Sequence, residues 1–134
     1  MQTLLRLRFT FAKRKLQKLL TSARKVTICL DGWTKKGLTE SFLGISASFF
    51  DPQQRVCRHA LLSLLELTES HTGEMLSSSL EKFLKDWHIP ASKVLLVVSD
   101  NGANMVKAYR LLQEREKIQA ELSASATATQ PEPE

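Results

Sequence analysis

Residues 26–34 read Val-Thr-Ile-Cys-Leu-Asp-Gly-Trp-Thr, and their alternation decides the fold class. Val26, Ile28 and Leu30 alternate with Thr27, Cys29 and Asp31, which predicts a strand with one buried face that ends at the acid. Residues 94–100, Val-Leu-Leu-Val-Val-Ser-Asp, are its counterpart. Five apolar residues run there without alternation, as expected of a strand covered on both faces in the parallel part of a sheet, and an aspartate again follows.

Between these segments Leu43, Ile45, Ala47 and Phe49 alternate with Gly44, Ser46 and Ser48. Asp51-Pro52 then makes a turn, and an extended run from Arg55 to about Leu67 completes a hairpin. Thr72 is placed to cap a helix whose positive end Glu74 favours. Leu76, Leu80, Phe83, Leu84 and Trp87 fall on one stripe of that helix, which Ile89 and Pro90 end. A right-handed crossover through it lays the 94–99 strand parallel to the first. Beyond Asp100, Gly102 permits a turn, and Met105, Tyr109 and Leu112 mark a helix running toward Glu121.

On the N-terminal side Ala12, Leu16, Leu19 and Leu20 recur at helical spacing among Lys13, Arg14, Lys15, Gln17 and Lys18, a basic amphipathic helix. Residues 1–11 fit helix and strand equally poorly. The reading is an α/β chain with a mixed sheet: a basic helical segment over 1–25, a core over 26–118, and a disordered tail over 119–134. Ser, Ala and Thr, then Gln130-Pro131-Glu132-Pro133-Glu134, bury too little apolar surface for that tail to fold.

At 134 residues and 43% hydrophobic content the chain has room for one ordinary core. Cys29, Cys57, His59, His71 and His88 match no structural zinc spacing, which excludes a zinc finger and leaves both cysteines as reduced packing residues. Any run of transmembrane length would cross Arg6, Arg8 or Lys13 to Lys15, so no membrane partner is expected. The net charge of +5 is uneven, because residues 1–30 hold eight Lys or Arg and no acid while the rest holds eleven against fourteen. Lys13, Arg14 and Lys15 could therefore meet phosphates, with a solvated helix face as the plainer alternative. The acid-free start also has the composition of a mitochondrial transit peptide.

Adjacent parallel strands end together, so the carboxylates of Asp31 and Asp100 should project from one sheet edge, where α/β folds place their sites. Hard oxygen donors suit a magnesium-type ion, and phosphoryl transfer often uses two such ions about 4 Å apart. A third carboxylate is normally needed to hold that pair. Without further context Asp100 could equally cap the following helix and Asp31 begin a turn through Gly32.

The surrounding residues add a resemblance. Val-Thr-Ile-Cys-Leu-Asp-Gly-Trp-Thr (26–34) and Val-Val-Ser-Asp-Asn-Gly-Ala-Asn-Met (97–105) resemble the two acidic motifs of the hAT transposase superfamily. Leu-Gly-Ile-Ser-Ala-Ser-Phe-Phe (43–50) and Ser-His-Thr-Gly-Glu (70–74) resemble the intervening segments, in order. Residues 12–113 are in this way similar to BED-zinc-finger proteins domesticated from such transposases. The resemblance implies an RNase H-like fold, Asp31 and Asp100 as the first two acids of a DDE triad, magnesium-dependent DNA strand chemistry, a DNA partner and a nuclear location. A cytoplasmic or mitochondrial location is the alternative.

The family's third acid, a glutamate beyond a fifth strand, has no match in the 21 residues after Gln113. Glu114, Glu116 and Glu121 fall on or beyond the last helix, which should lead away from the strand ends. The expectation is thus a fold incomplete on its C-terminal side, not an enzyme, with at most weak Mg2+ or nucleic-acid binding and no small-molecule substrate. One alternative is an interaction module that pairs through exposed sheet edges with a longer transposase-like relative or another chain, and another is a nucleic-acid binder through the basic helix. Among the remaining residues, Trp33 is expected as a packing anchor under the sheet edge. Lys35 and Lys36 flank the site and could meet phosphate, His71 shapes a helix start, and Asn101 and Asn104 satisfy turn backbone.

Overall fold

A computed structural model describes residues 2–35, 37, 40–67, 72–100 and 102–127. In chain order it contains α1 (Gln2–Ser22), β1 (Val26–Thr34), β2 (Ser41–Asp51), β3 (Val56–Leu67), α2 (Gly73–Asp86), a 3-10 turn (Ala91–Lys93), β4 (Val94–Ser99) and α3 (Ala103–Thr127). The strands form one mixed sheet in the order β3-β2-β1-β4, with β1–β2 and β2–β3 antiparallel and β1–β4 parallel. This is the expected strand, hairpin, helix, parallel strand and helix. The chain divides into two compact units, Met1–Ser70 with Lys82–Asp100, and His71–Glu81 with Asn101–Glu134.

In the first unit the alternating residues supply the core. Val26, Ile28 and Leu30 of β1 and Leu43, Ile45, Ala47 and Phe49 of β2 are all buried, joined by Leu20 and Ala23 and by Phe83, Leu84, Trp87 and Ile89. Each large side chain so buried contributes on the order of 1.5–3 kcal/mol. The β2–β3 turn is organised by Asp51, which is only 1% exposed. Its Oδ1 accepts the backbone N–H groups of Gln53 (3.0 Å) and Gln54 (3.2 Å), and its Oδ2 accepts Arg58 Nε at 2.8 Å. The guanidinium of Arg58 is the main reason that the Asp51 carboxyl lies below the ordinary carboxylate range; burial opposes it and the two N–H groups add to it.

Two strands depart from the expectation. β1 does not end at Asp31 but continues to Thr34, because β2 keeps pairing with it from Asp31↔Gly44 to Thr34↔Ser41. Only the parallel pairing stops here, at Leu30↔Ser99. β4 is not covered on both faces: it is an edge strand, and Leu95, Leu96 and Val98 are exposed. Its register with β1 shifts between Val26 and Thr27, where the partner moves from Val94 to Leu96 and leaves Leu95 as an extra residue.

α1 runs through residues 2–11, whose own pattern fits neither helix nor strand but which fall in the expected helical segment over 1–25, and its two ends differ. Its C-terminal half is anchored: Lys13 lies over the Trp87 ring at 5.1 Å, Gln17 donates to the Asp86 carbonyl at 3.2 Å, and Lys93 Nζ donates to the carbonyls of Leu20 (2.6 Å) and Thr21 (2.9 Å). Its N-terminal half leaves Leu4, Leu5, Leu7, Phe9 and Phe11 exposed.

In the second unit Leu76 and Leu80 of α2 and Ala108 and Leu112 of α3 are buried. Thr72 Oγ1 accepts the Met75 N–H at 3.3 Å, the expected cap. Two ion pairs tie the helices, Glu74–Lys107 at 2.7 Å and Glu81–Arg115 at 3.4 Å. The expected tail from residue 119 is corrected as far as Thr127, which α3 reaches; residues 128–134 lie outside those described. Once a helix is nucleated, Ala, Leu and Glu extend it at little cost, and the hydroxyls of Ser123 and Ser125 turn back onto the carbonyls of Ala120 and Leu122, both at 2.8 Å.

Candidate functional site

Asp31 and Asp100 are the next positions outward from the last parallel pair, Leu30↔Ser99. Neighbouring strands lie about 4.8 Å apart, and Asp31 continues β1 while Asp100 directly follows β4, so the two acids stand at the same end of two adjacent parallel strands, each one residue past that pair. Both are exposed, and neither carboxylate is hydrogen-bonded or ion-paired to a described residue. The turn through Gly32 does not form, since Gly32 stays in β1, and Asp100 makes no capping hydrogen bond to a described residue; the carbonyl of Gly102 accepts the N–H groups of Met105 (2.9 Å) and Val106 (3.2 Å) at the start of α3.

The face that carries Asp31 is the open one. Register places Thr27, Cys29, Asp31 and Trp33 of β1 beside Ser48, Ser46, Gly44 and Phe42 of β2, and these beside His59, Leu61, Leu64 and Glu66 of β3. Leu96 and Val98 of β4 extend it on the other side. The Ser48 hydroxyl and His59 Nδ1, 2.7 Å apart, bond across this face.

Trp33 corrects its expectation. It is not under the sheet edge but on the open face, 46% exposed, stacked on Phe42 with ring centroids 5.9 Å apart. Gly44 makes room for it, since a Cβ there would stand 3.3 Å from the indole. The ring therefore lies beside Asp31.

The other candidates are dispersed. Lys13 is engaged by Trp87, while Arg14 and Lys15 are exposed and line an open groove along α1 with Phe11 and Lys18. Lys35 is exposed just beyond β1, its N–H bonded to the Glu40 carbonyl at 3.2 Å. Lys36, His71 and Asn101 lie outside the described residues, and Asn104 is exposed in the first turn of α3. Both cysteines are free, but Cys57 is exposed rather than packed. Among the described residues no three His, Cys, Asp or Glu side chains gather closely enough to hold a metal ion, and no helix is long and apolar enough to cross a membrane. Sequence reasoning missed Lys93, whose contacts with α1 have no local signature, and the Asp51–Arg58 pair, which an acid at a strand end facing an arginine across a hairpin could have suggested.

A four-stranded mixed sheet with this crossover and two acids at adjacent positions defines an RNase-like α/β domain. Residues 29–127 match the ZBED1 RNase-like domain, and the chain belongs to that family, whose BED-zinc-finger proteins derive from transposases. It is also 39% identical over 92 residues, 69% of the chain, to a Talaromyces stipitatus protein named "Putative transcriptional regulator tpeD". The match spans 10% of that protein's length.

Proposed function

We propose that this domain is a hAT-type, transposase-derived RNase H-like module that does not cleave DNA and keeps Asp31 and Asp100 as a residual two-carboxylate pair. The observation that carries the reading is their placement, each one residue past the last parallel pair, exposed and free of internal partners, with no group of three His, Cys, Asp or Glu among the described residues close enough to hold a metal ion. A magnesium-type ion takes one or two protein carboxylates and keeps several waters, so the donors fit one weakly held, hydrated ion. They do not fit the two-ion clamp of phosphoryl transfer. Bound there, such an ion would neutralise phosphate charge. The basic α1, the BED-zinc-finger relationship and the name of the T. stipitatus relative support contact with DNA and a nuclear location.

The test is thermal unfolding with and without millimolar Mg2+ or Mn2+, for the parent chain and an Asp31→Asn/Asp100→Asn variant, beside a supercoiled-plasmid nicking assay. The expected result is a rise of the midpoint with metal that the variant lacks, since only ligands of the native state stabilise it, and no nicking by either protein. Metal-dependent nicking abolished by Asp31→Asn would overturn the reading.

A second reading, an interaction module, is favoured by the unequal sheet edges. β3 carries Arg58, His59, Glu66 and an irregularity beside Leu62, devices that discourage pairing. β4 also has an irregularity, at Leu95, but carries no charge from Val94 to Ser99. A strand from a longer relative or another chain would pair there, and protection of the β4 amides from hydrogen exchange on adding that partner would show it.

A further inference from the structure

We propose that the open face of the sheet receives the N-terminal half of α1 from a second copy of this chain. The face and the helix are complementary in charge. Outward positions of the strands carry Asp31 and Glu66 and no Lys or Arg, and Asp100 directly follows β4, while Arg24 and Lys25 border only the opposite end, beside Thr27 and Ser48. Residues 2–18 carry Arg6, Arg8, Lys13, Arg14, Lys15 and Lys18 and no acid. Such a helix is repelled by its own kind and attracted by this face.

The two surfaces are also matched in apolar content. The face exposes Trp33, Leu61, Leu64, Leu96 and Val98, the last two by 57% and 50%. The helix exposes Leu5 (71%) and Phe9 (65%), which continue toward the N-terminus the stripe by which Leu20 and Ala23 enter the first unit's core. The stripe outruns its own domain. Residues 2–12 extend about 16 Å at 1.5 Å per residue. The four strands span about 14 Å between outer axes, so the overhang crosses the face once.

The chain's own α1 does not serve. It is a single helix whose later turns are held by Trp87, Asp86 and Lys93, and its first turns would have to break away to reach the face. A second copy brings them intact.

Sedimentation equilibrium of the nuclease-treated full chain from 5 to 500 µM tests the proposal with two charge-reversed proteins. One carries Arg6→Glu/Arg8→Glu, the other Asp31→Lys/Asp100→Lys, with Val98→Lys as a replacement if the latter fails to fold by circular dichroism. The parent is expected to dimerise, about tenfold more weakly at 500 than at 50 mM NaCl because the attraction is screened. Each reversed protein alone is expected to be monomeric, and an equimolar mixture to associate again, since one supplies an intact face and the other an intact helix. A monomeric parent at 500 µM, a helix variant that dimerises like the parent, or a mixture that stays monomeric would each overturn it.

Discussion

Replacing Lys93 with Met should loosen the first unit by a calculable amount. α1 ends at Ser22 with no basic residue in its last turn, and Lys93, 73 residues beyond Leu20, supplies the missing cation. Its ammonium donates to the carbonyls of Leu20 at 2.6 Å and Thr21 at 2.9 Å, two of the four that a helix C-terminus leaves unpaired. Hydrogen bonds from a charged donor contribute about 1.5–3 kcal/mol each when shielded, but Lys93 is only half-buried, so about 1 kcal/mol each is appropriate here. The charge at the helix end adds about 0.3–1 kcal/mol. Met keeps the stem and removes both bonds, for an expected loss of about 2 kcal/mol, a large part of the 5–15 kcal/mol typical of a domain. Urea unfolding followed by tryptophan fluorescence would read it as a lower midpoint with unchanged slope, since Trp87 is buried beside α1. Lys25→Met is the control: Lys25 reaches one exposed carbonyl, that of Ser92 at 2.6 Å, and should cost less than about 1 kcal/mol. A Lys93→Met protein within about 0.5 kcal/mol of the parent, or one less affected than Lys25→Met, would refute the reasoning.

Three further outcomes are expected. Ser77 is fully buried and its hydroxyl has no hydrogen-bond partner, so Ser77→Ala should raise stability by about 1 kcal/mol, or several degrees in Tm; a lower Tm would contradict this. At Gly73 a new Cβ would lie 2.7–2.9 Å from Cδ, Cγ and Cβ of Lys107, so Gly73→Ala should cost about 1–3 kcal/mol in urea unfolding despite the better helix former. The third concerns acid. Because the folded Asp51 carboxyl titrates below its unfolded value near 3.9, its contribution is complete above that pH and lost as pH falls through the folded value. Asp51→Asn should therefore lower Tm at neutral pH and flatten its decline below about pH 4, and parallel declines in both proteins would count against the Asp51–Arg58 pair.

Much of this fold is legible in the sequence because its strands are half-buried. The alternation across Val26–Leu30 and Leu43–Phe49 reports directly which side chains point inward, and a crossover that returns β4 parallel to β1 puts Asp31 and Asp100 at the same end of neighbouring strands. Other parts resist for physical reasons. An apolar run such as Val94–Val98 reads the same whether or not anything covers its outer side, so the exposure of β4 was not visible. Asp31-Gly32 looks like a turn locally, and only the pairing with β2 and the stacking of Trp33 on Phe42 keep it extended. Residues 2–11 carry two apolar stripes, Leu4-Leu7-Phe11 and Leu5-Phe9, which blur the helical period that the later turns of α1 show clearly.

In a strand, side-chain direction is a matter of counting, and Leu95 changes the count by one. Were β4 regular from the Val26↔Val94 pair onward, Asp31 would stand beside Ser99, and Asp100 beside Gly32, one step along and on the opposite side of the sheet. The inserted residue inverts Leu96 to Ser99 as a block, so that Asp100 follows the partner of Leu30 just as Asp31 follows Leu30. Leu95 belongs to neither acidic motif, so a lineage could keep both motifs letter for letter, lose this single residue, and no longer have a paired site.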